Sequence, residues 1–382
     1  MKGRKGWFFL LAALLAALTF AVAACGGDDD DGDGGEAAAT TGGDCEQTNS
    51  VTLQLKWVTQ AQFAGYYAAD EQGYYDEECL DVTIKVGGPD ITPEQVVASG
   101  GAELGIDWLP SLLATRDKGS DLVNIAQVFA RSGMTEVTWK DSNITNVAEM
   151  RGKKVGVWCC GNEFELFAAL TKNGIDPKDK SDVTIVNQPF DMNLFLQRQV
   201  DAAAAMTYNE LAQVLEQKNP DTGDLYTLDD LNVITMEEAG TAMLEDGVFV
   251  RGDWIADEAN QDIATRFLRA SFRGWIFCRD SQEDCLQIVL DNGPTLGEGD
   301  QRWQLNEINA LIWPNETGIG IMDEEDFQRT ADIAHQFKVI SKPATNDAYR
   351  TDLAEAALEG IDEDTKGADW EKEEVEVTEG GA

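Results

Sequence analysis

Histidine is almost missing from this chain: among 382 residues only His335 carries an imidazole. That scarcity removes most reaction schemes that need a proton shuttle near neutral pH, and most zinc sites built on histidine. No two cysteines are spaced as CxxC, so a cysteine-only zinc knot is excluded too, and no metal or cofactor is expected. Basic residues are scarce as well, 29 against 70 acidic ones, for a formal net charge of −41. Such a surface repels phosphate backbones and anionic headgroups, which excludes nucleic acid as a partner and leaves the membrane only through an anchor. The acidic excess is larger than solubility requires. It suits a high-salt habitat, where ions screen the self-repulsion of the carboxylates.

What the chain does have begins at its first residues. Lys2, Arg4 and Lys5 precede an apolar run from Trp7 to Ala24 that ends in Val22-Ala23-Ala24-Cys25. A run of roughly 20 apolar residues is long enough to cross a bilayer, but small residues directly before a cysteine, followed by Gly26-Gly27 and an acid run, read as a lipoprotein signal. Residues 1–24 are therefore expected to be removed and Cys25 lipidated. This places the mature protein on the outer face of the cytoplasmic membrane, the periplasmic side if an outer membrane is present. Residues 25–50, rich in Gly, Asp, Ala and Thr, have little to bury and are expected to form a flexible leash; the acidic tail 359–382 is expected to be disordered for the same reason.

Seven cysteines in an exported protein suggest bridges. With Cys25 lipidated, six remain. Cys278 and Cys285 could close a short loop after an aromatic helix, and Cys45 could reach Cys79. Cys159 and Cys160 are adjacent, and two readings stay open for them: a vicinal disulfide or two reduced thiols at a strand end.

Between the two polar ends the pattern alternates. Strand-like Val51–Leu55, Val82–Val86 and Leu104–Ile106 are separated by helical stretches 62–71 and 93–99, with another helix at 109–118. The alternation restarts with strands at 154–158, 183–186 and 202–206, each followed by a helical stretch. This order predicts an α/β protein of two doubly wound, parallel sheets. Val248-Phe249-Val250 is expected to rejoin the first sheet, so the chain crosses between lobes twice, near Glu136–Lys140 and near Ala239–Val248. Lobe 1 is then 51–137 plus 241–358, and lobe 2 is 138–240. Helices 260–278 and 324–337, the second capped by Asp323, complete the body.

Ligands of open parallel sheets sit beyond the carboxyl ends of the strands. The residues that follow those ends are therefore the candidate site: Trp57, Gln60, Gln62, Phe63 and Tyr66; Asp107 and Trp108; Trp158, Cys159, Cys160, Asn162 and Glu163; Tyr208, Asn209 and Glu210. Aromatic rings mixed with amides and carboxylates suit a flat heteroaromatic compound held between rings and hydrogen-bonded at its edge. With no Lys or Arg in the set, a phosphate is disfavoured. Bland alternatives exist: Tyr66 could be core, Trp57 and Trp108 could plug a lobe, and Asn209 could cap its helix.

The run Trp57-Val58-Thr59-Gln60-Ala61-Gln62-Phe63-Ala64-Gly65-Tyr66-Tyr67, the later Gly73-Tyr74-Tyr75, Gly87-Gly88-Pro89-Asp90, Arg151 through Trp158, and Asp201 through Glu210 together resemble the NMT1/THI5-like substrate-binding proteins of ABC importers. The resemblance spans roughly residues 51–342. It implies a two-lobed periplasmic-binding-protein type II fold that closes on its ligand, a monomer that hands a thiamine-pyrimidine precursor or riboflavin to a permease driven by an ATPase. The same fold includes thiamine-pyrimidine synthases that consume pyridoxal phosphate. At the positions matching their lysine and sacrificed histidine this chain has Asp107 and Ser111, which form neither a Schiff base nor an imidazole donor. Their cysteine-rich motif would fall near Gly240–Val250, where there is no cysteine. A surface protein that keeps the fold without transport is a third reading.

Overall fold

The computed structural model describes Cys45 and residues 47–382. The expected signal peptide, the lipidation site Cys25 and nearly all of the expected leash lie outside the described residues. No helix among the described residues is long and apolar enough to cross a membrane.

Ten strands form two five-stranded sheets. The chain begins with β1 (Asn49–Gln54), β2 (Leu80–Lys85), β3 (Leu104–Trp108) and β4 (Leu122–Gln127) in the first sheet. It then builds the second from β5 (Met134–Trp139), β6 (Lys154–Val157), β7 (Thr184–Asn187), β8 (Ala202–Met206) and β9 (Leu231–Thr235). Finally β10 (Asp246–Arg251) returns to the first. The strand orders are β2-β1-β3-β10-β4 and β7-β6-β8-β5-β9. The helices needed below are α1 (Ala64–Glu71), α2 (Leu109–Asp117), α3 (Phe164–Lys172), α4 (Glu210–Leu215), α5 (Glu258–Asp280), α6 (Gln282–Asn292), α7 (Glu298–Ile312) and α8 (Glu324–Gln336). Asp323 caps α8, its carboxylate accepting from the backbone N–H groups of Glu325 and Asp326.

Both sheets are mixed rather than parallel. The strand that follows each interlobe crossing, β5 in one sheet and β10 in the other, runs antiparallel to both of its neighbours. β5 also moves the first crossing: it lies at residues 130–133, before Met134, and not at Glu136–Lys140. Glu136 belongs to β5, between β8 and β9, and is fully buried there. Burial without a partner holds its carboxyl well above the usual range. The second crossing falls at residues 240–245, between the second sheet and β10.

The acidic tail is not the free end that its composition suggested. Glu373 exchanges two hydrogen bonds with the buried Asn306 side chain of α7, and Val377 packs against the lobe 2 cluster of Leu211, Val214 and Leu215. A few well-placed contacts order a segment whose average hydropathy argues otherwise.

Disulfides join Cys45 to Cys79 and Cys278 to Cys285, and Cys159 is bonded to its neighbour Cys160. The first bridge ties the start of the folded body to the turn before β2. The second fastens α5 to α6.

Candidate functional site

The carboxyl ends of β1 and β3 in lobe 1 face those of β6 and β8 in lobe 2 across a narrow cleft. From lobe 1 the cleft is lined by Lys56, Trp57, Gln60, Gln62 and Trp108; from lobe 2 by Trp158, Asn162, Met206, Tyr208, Asn209 and Glu210. The lobes are close together: the space among these groups, including the part open to solvent, is about 350 Å³. At the mouth, the Trp57 ring meets the Phe190 ring of lobe 2 edge-on at 6.3 Å.

Nine of the fifteen expected ligand-binding residues are thus brought together. The other six are placed differently, each for a physical reason. Phe63 and Tyr66 face the core of lobe 1, where Tyr66 stacks on Phe267 at 6.5 Å and meets Trp275 edge-on at 5.7 Å. Helical periodicity identifies an inner face but not whether that face looks at the core or the cleft. Asp107 is buried one step behind the lining, held by Lys56 and by the Trp108 backbone N–H at 2.7 Å. Cys159 and Cys160 are exposed, and Glu163 turns back to accept from the Gly161 N–H at 2.9 Å. The loop they form touches the opposite lobe instead: the Ser111 hydroxyl at the start of α2 donates to the Gly161 carbonyl at 3.3 Å. Gly161 has φ +116°, and a Cβ there would lie 2.5 Å from the Ser111 oxygen. Only glycine fits that approach.

Lys56 and Met206 were missed, as was Phe190 at the mouth. Lys56 overturns the statement that the site holds no cation. Its Nζ lies 2.5 Å from Asp107 Oδ1 and 4.6 Å from the Trp108 ring centre, and the residue is 8% exposed. Burial alone would depress its pKa, but the Asp107 carboxylate, with smaller contributions from Glu94 and Asp246, offsets burial and raises it, so the amine stays protonated. The available signal was position: Lys56 immediately follows the strand-end Leu55 and precedes Trp57.

A chain of amides crosses the cleft. Gln62 Nε2 donates to Asp246 at 2.8 Å, Gln60 Nε2 donates to Gln62 at 2.7 Å, and Asn209 Nδ2 of lobe 2 donates to Gln60 at 3.4 Å. Asn209 precedes α4 but its side chain does not cap it. That leaves Asn209 Oδ1 free to accept from Gln213 at 3.0 Å and from Gln304 of α7 at 3.5 Å.

Burial shifts the carboxyl groups of Asp246 and Glu210 beside this chain toward their protonated forms. Burial pushes Asp246 up to about 7, although Lys56 and the Gln62 amide pull against it. Burial pushes Glu210 up to about 8, while its Oε2 accepts from the Met206 N–H at 3.0 Å. Lys56 and Asp107 cancel, so the cleft carries little net charge in a protein that is strongly acidic overall. It is an aromatic slot with amide and acid edges, suited to a neutral ring system. Nothing in it supplies a nucleophile activated by a base.

Comparison with known proteins agrees with this geometry. The family model described as NMT1/THI5 like matches residues 60–285. A riboflavin-binding protein of Chloroflexus aurantiacus is 24% identical over 305 residues, covering 77% of this chain and 82% of that protein. A formylaminopyrimidine-binding protein of Halalkalibacterium halodurans is 24% identical over 252 residues, covering 65% and 72%. A hydroxymethylpyrimidine phosphate synthase of Schizosaccharomyces pombe matches over only 35% of the chain, at 22% identity. Among solved structures, the alkanesulfonate-binding protein of Xanthomonas axonopodis superposes with a TM-score of 0.59 and 16% identity, over 80% of this chain and all of that one, which establishes the periplasmic-binding-protein fold. The chain belongs to the NMT1/THI5-like family.

Proposed function

We propose that this protein is the extracytoplasmic receptor of an ABC importer, capturing a small neutral heteroaromatic nutrient between its lobes and releasing it unchanged to a permease. The observation that carries this reading is the convergence of Trp57, Trp108 and Trp158 from both lobes on one slot, spanned by the Gln62–Gln60–Asn209 amide chain. Riboflavin or a thiamine-pyrimidine precursor is the favoured cargo, in keeping with the names of the two binding proteins that match most of the chain. The protein works tethered through Cys25, as a monomer whose membrane contact is the lipid anchor alone.

The synthase reading is disfavoured by the chemistry of the cleft. Its one amine, Lys56, is held protonated by Asp107 and is not available to condense with an aldehyde. His335 lies in the last turn of α8, away from the lining residues. Pyridoxal phosphate therefore does not fit the residues present.

A thermal-shift panel of riboflavin, hydroxymethylpyrimidine, its formylamino precursor, thiamine and taurine tests the proposal. The true cargo at 100 times its Kd raises the melting temperature by roughly 3–8 °C. No shift with any ring compound, or a shift with taurine alone, refutes the heteroaromatic assignment.

A further inference from the structure

The C-terminal segment does more than cover a surface, because its contacts fall on both sides of the seam between the lobes. It first joins α7: Asn306 Nδ2 donates to the Glu373 carbonyl at 2.8 Å, the Glu373 N–H donates to Asn306 Oδ1 at 3.0 Å, and Lys372 pairs with Glu307. It then passes onto lobe 2. Val377 packs in the cluster of α4, the Gly380 N–H donates to the Glu216 carbonyl at 3.0 Å, and Glu379 pairs with Lys218 at 2.5 Å.

α7 is built onto lobe 1. Gln301 Oε1 accepts from the Ala61 N–H at 2.7 Å, Asn309 Nδ2 donates to the Cys278 carbonyl of α5 at 3.4 Å, and Arg302 pairs with Glu283 of α6. Its direct hold on lobe 2 is narrower: Trp303 Nε1 donates to the Thr207 carbonyl at 2.9 Å and the ring packs on the lobe 2 cluster. One end of the helix sits at the hinge, where the Ala130 N–H of the first crossing donates to the Leu311 carbonyl at 3.0 Å. The 15 residues of α7 put its other end about 22 Å away. Rotation about the hinge displaces that far end most, and the last residues of the chain lie there. A Cβ on Gly381 would be 2.7 Å from Asp300 of α7 and 3.0 Å from the Glu216 carboxyl of lobe 2, so this residue, at φ +70°, is wedged in the seam itself.

We propose that residues 372–382 are a strap that fastens the far end of α7 to lobe 2 and holds the lobes closed, so that cargo release requires the strap to detach. Nothing in this requires a particular cargo.

Two substitutions in the full-length chain test it. Val377→Asp places a charge in the lobe 2 contact, and Gly381→Val fills the seam; both act on the tail and leave the two cores intact. Small-angle scattering of the unliganded protein reads opening as an increased radius of gyration, and hydrogen exchange of residues 372–382 reads detachment. Each variant is expected to detach the tail and favour the open form about fivefold or more, the factor carried by loss of a few modest hydrogen bonds. Fast exchange in the tail with scattering identical to the parent overturns the proposal, as does slow tail exchange with the lobes open. If Val377→Asp proves unfolded by circular dichroism, Gly381→Val decides by the same two readouts.

Discussion

Replacing Glu210 by Gln isolates the acid that the cleft keeps protonated. In the native protein its carboxyl is buried, lines the cavity, and titrates at about 8 rather than at the ordinary 4.5. The folded state therefore holds a proton that the unfolded chain has already lost between those values. Stability contributed by this group is at its highest below about 4.5, falls as pH rises, and reaches its full deficit above about 8. The slope is at most about 1.4 kcal/mol per pH unit, and the whole span is worth about 5 kcal/mol. Glutamine keeps an acceptor for the Met206 N–H and has no proton to lose. The difference in unfolding free energy between variant and parent, measured by urea titration at one-unit steps from pH 5 to pH 9, should move in favour of the variant by several kcal/mol. Asp246, Glu245 and Glu165, whose carboxyls burial also raises, titrate in both proteins and cancel in the difference. A difference that stays constant to within about 0.5 kcal/mol across that range refutes the reasoning, because it means that Glu210 is ionised in the native state at all of these pH values.

Trp158→Ala removes the indole that lobe 2 contributes to the slot; with base–aromatic stacking worth about 1–3 kcal/mol, calorimetry should show Kd for the cargo raised roughly tenfold or more. Lys56→Met strands the buried Asp107 carboxylate and should cost about 3–5 kcal/mol of stability in denaturant titration, most of it regained in the double variant with Asp107→Leu; a single variant as stable as the parent contradicts the ion pair. Gly161→Ala puts a methyl group against the Ser111 hydroxyl at a left-handed backbone position, and should weaken cargo binding while leaving the fold intact, whereas an unchanged Kd means that the lobes close without that contact.

The parts of the site that depend on strand ends were legible in the sequence, because a residue just past a strand of a doubly wound sheet has few places to go. Trp57, Trp108, Trp158, Tyr208 and Asn209 all follow that logic. What failed were questions of which way a side chain turns. The inner face of α1 reads equally as core or cleft, and packing against Phe267 and Trp275 decides for Tyr66. Lys56 was left out of the site and Glu136 was placed at the first crossing, yet Lys56 is buried beside the Asp107 carboxylate and Glu136 is buried within β5 with its carboxyl held well above the usual range. The tail was misread by averaging its composition, when Val377 and two backbone groups of Glu373 are enough to seat it.

Reversible capture of an unaltered ring compound is tested most directly by calorimetric titration of the purified protein with riboflavin and with the formylamino pyrimidine, followed by mass analysis of the recovered ligand. A receptor of this kind should show saturable 1:1 binding of one of the two and recovery of that compound at its original mass. Recovery of a chemically changed product, or the absence of saturable binding by either, would contradict it.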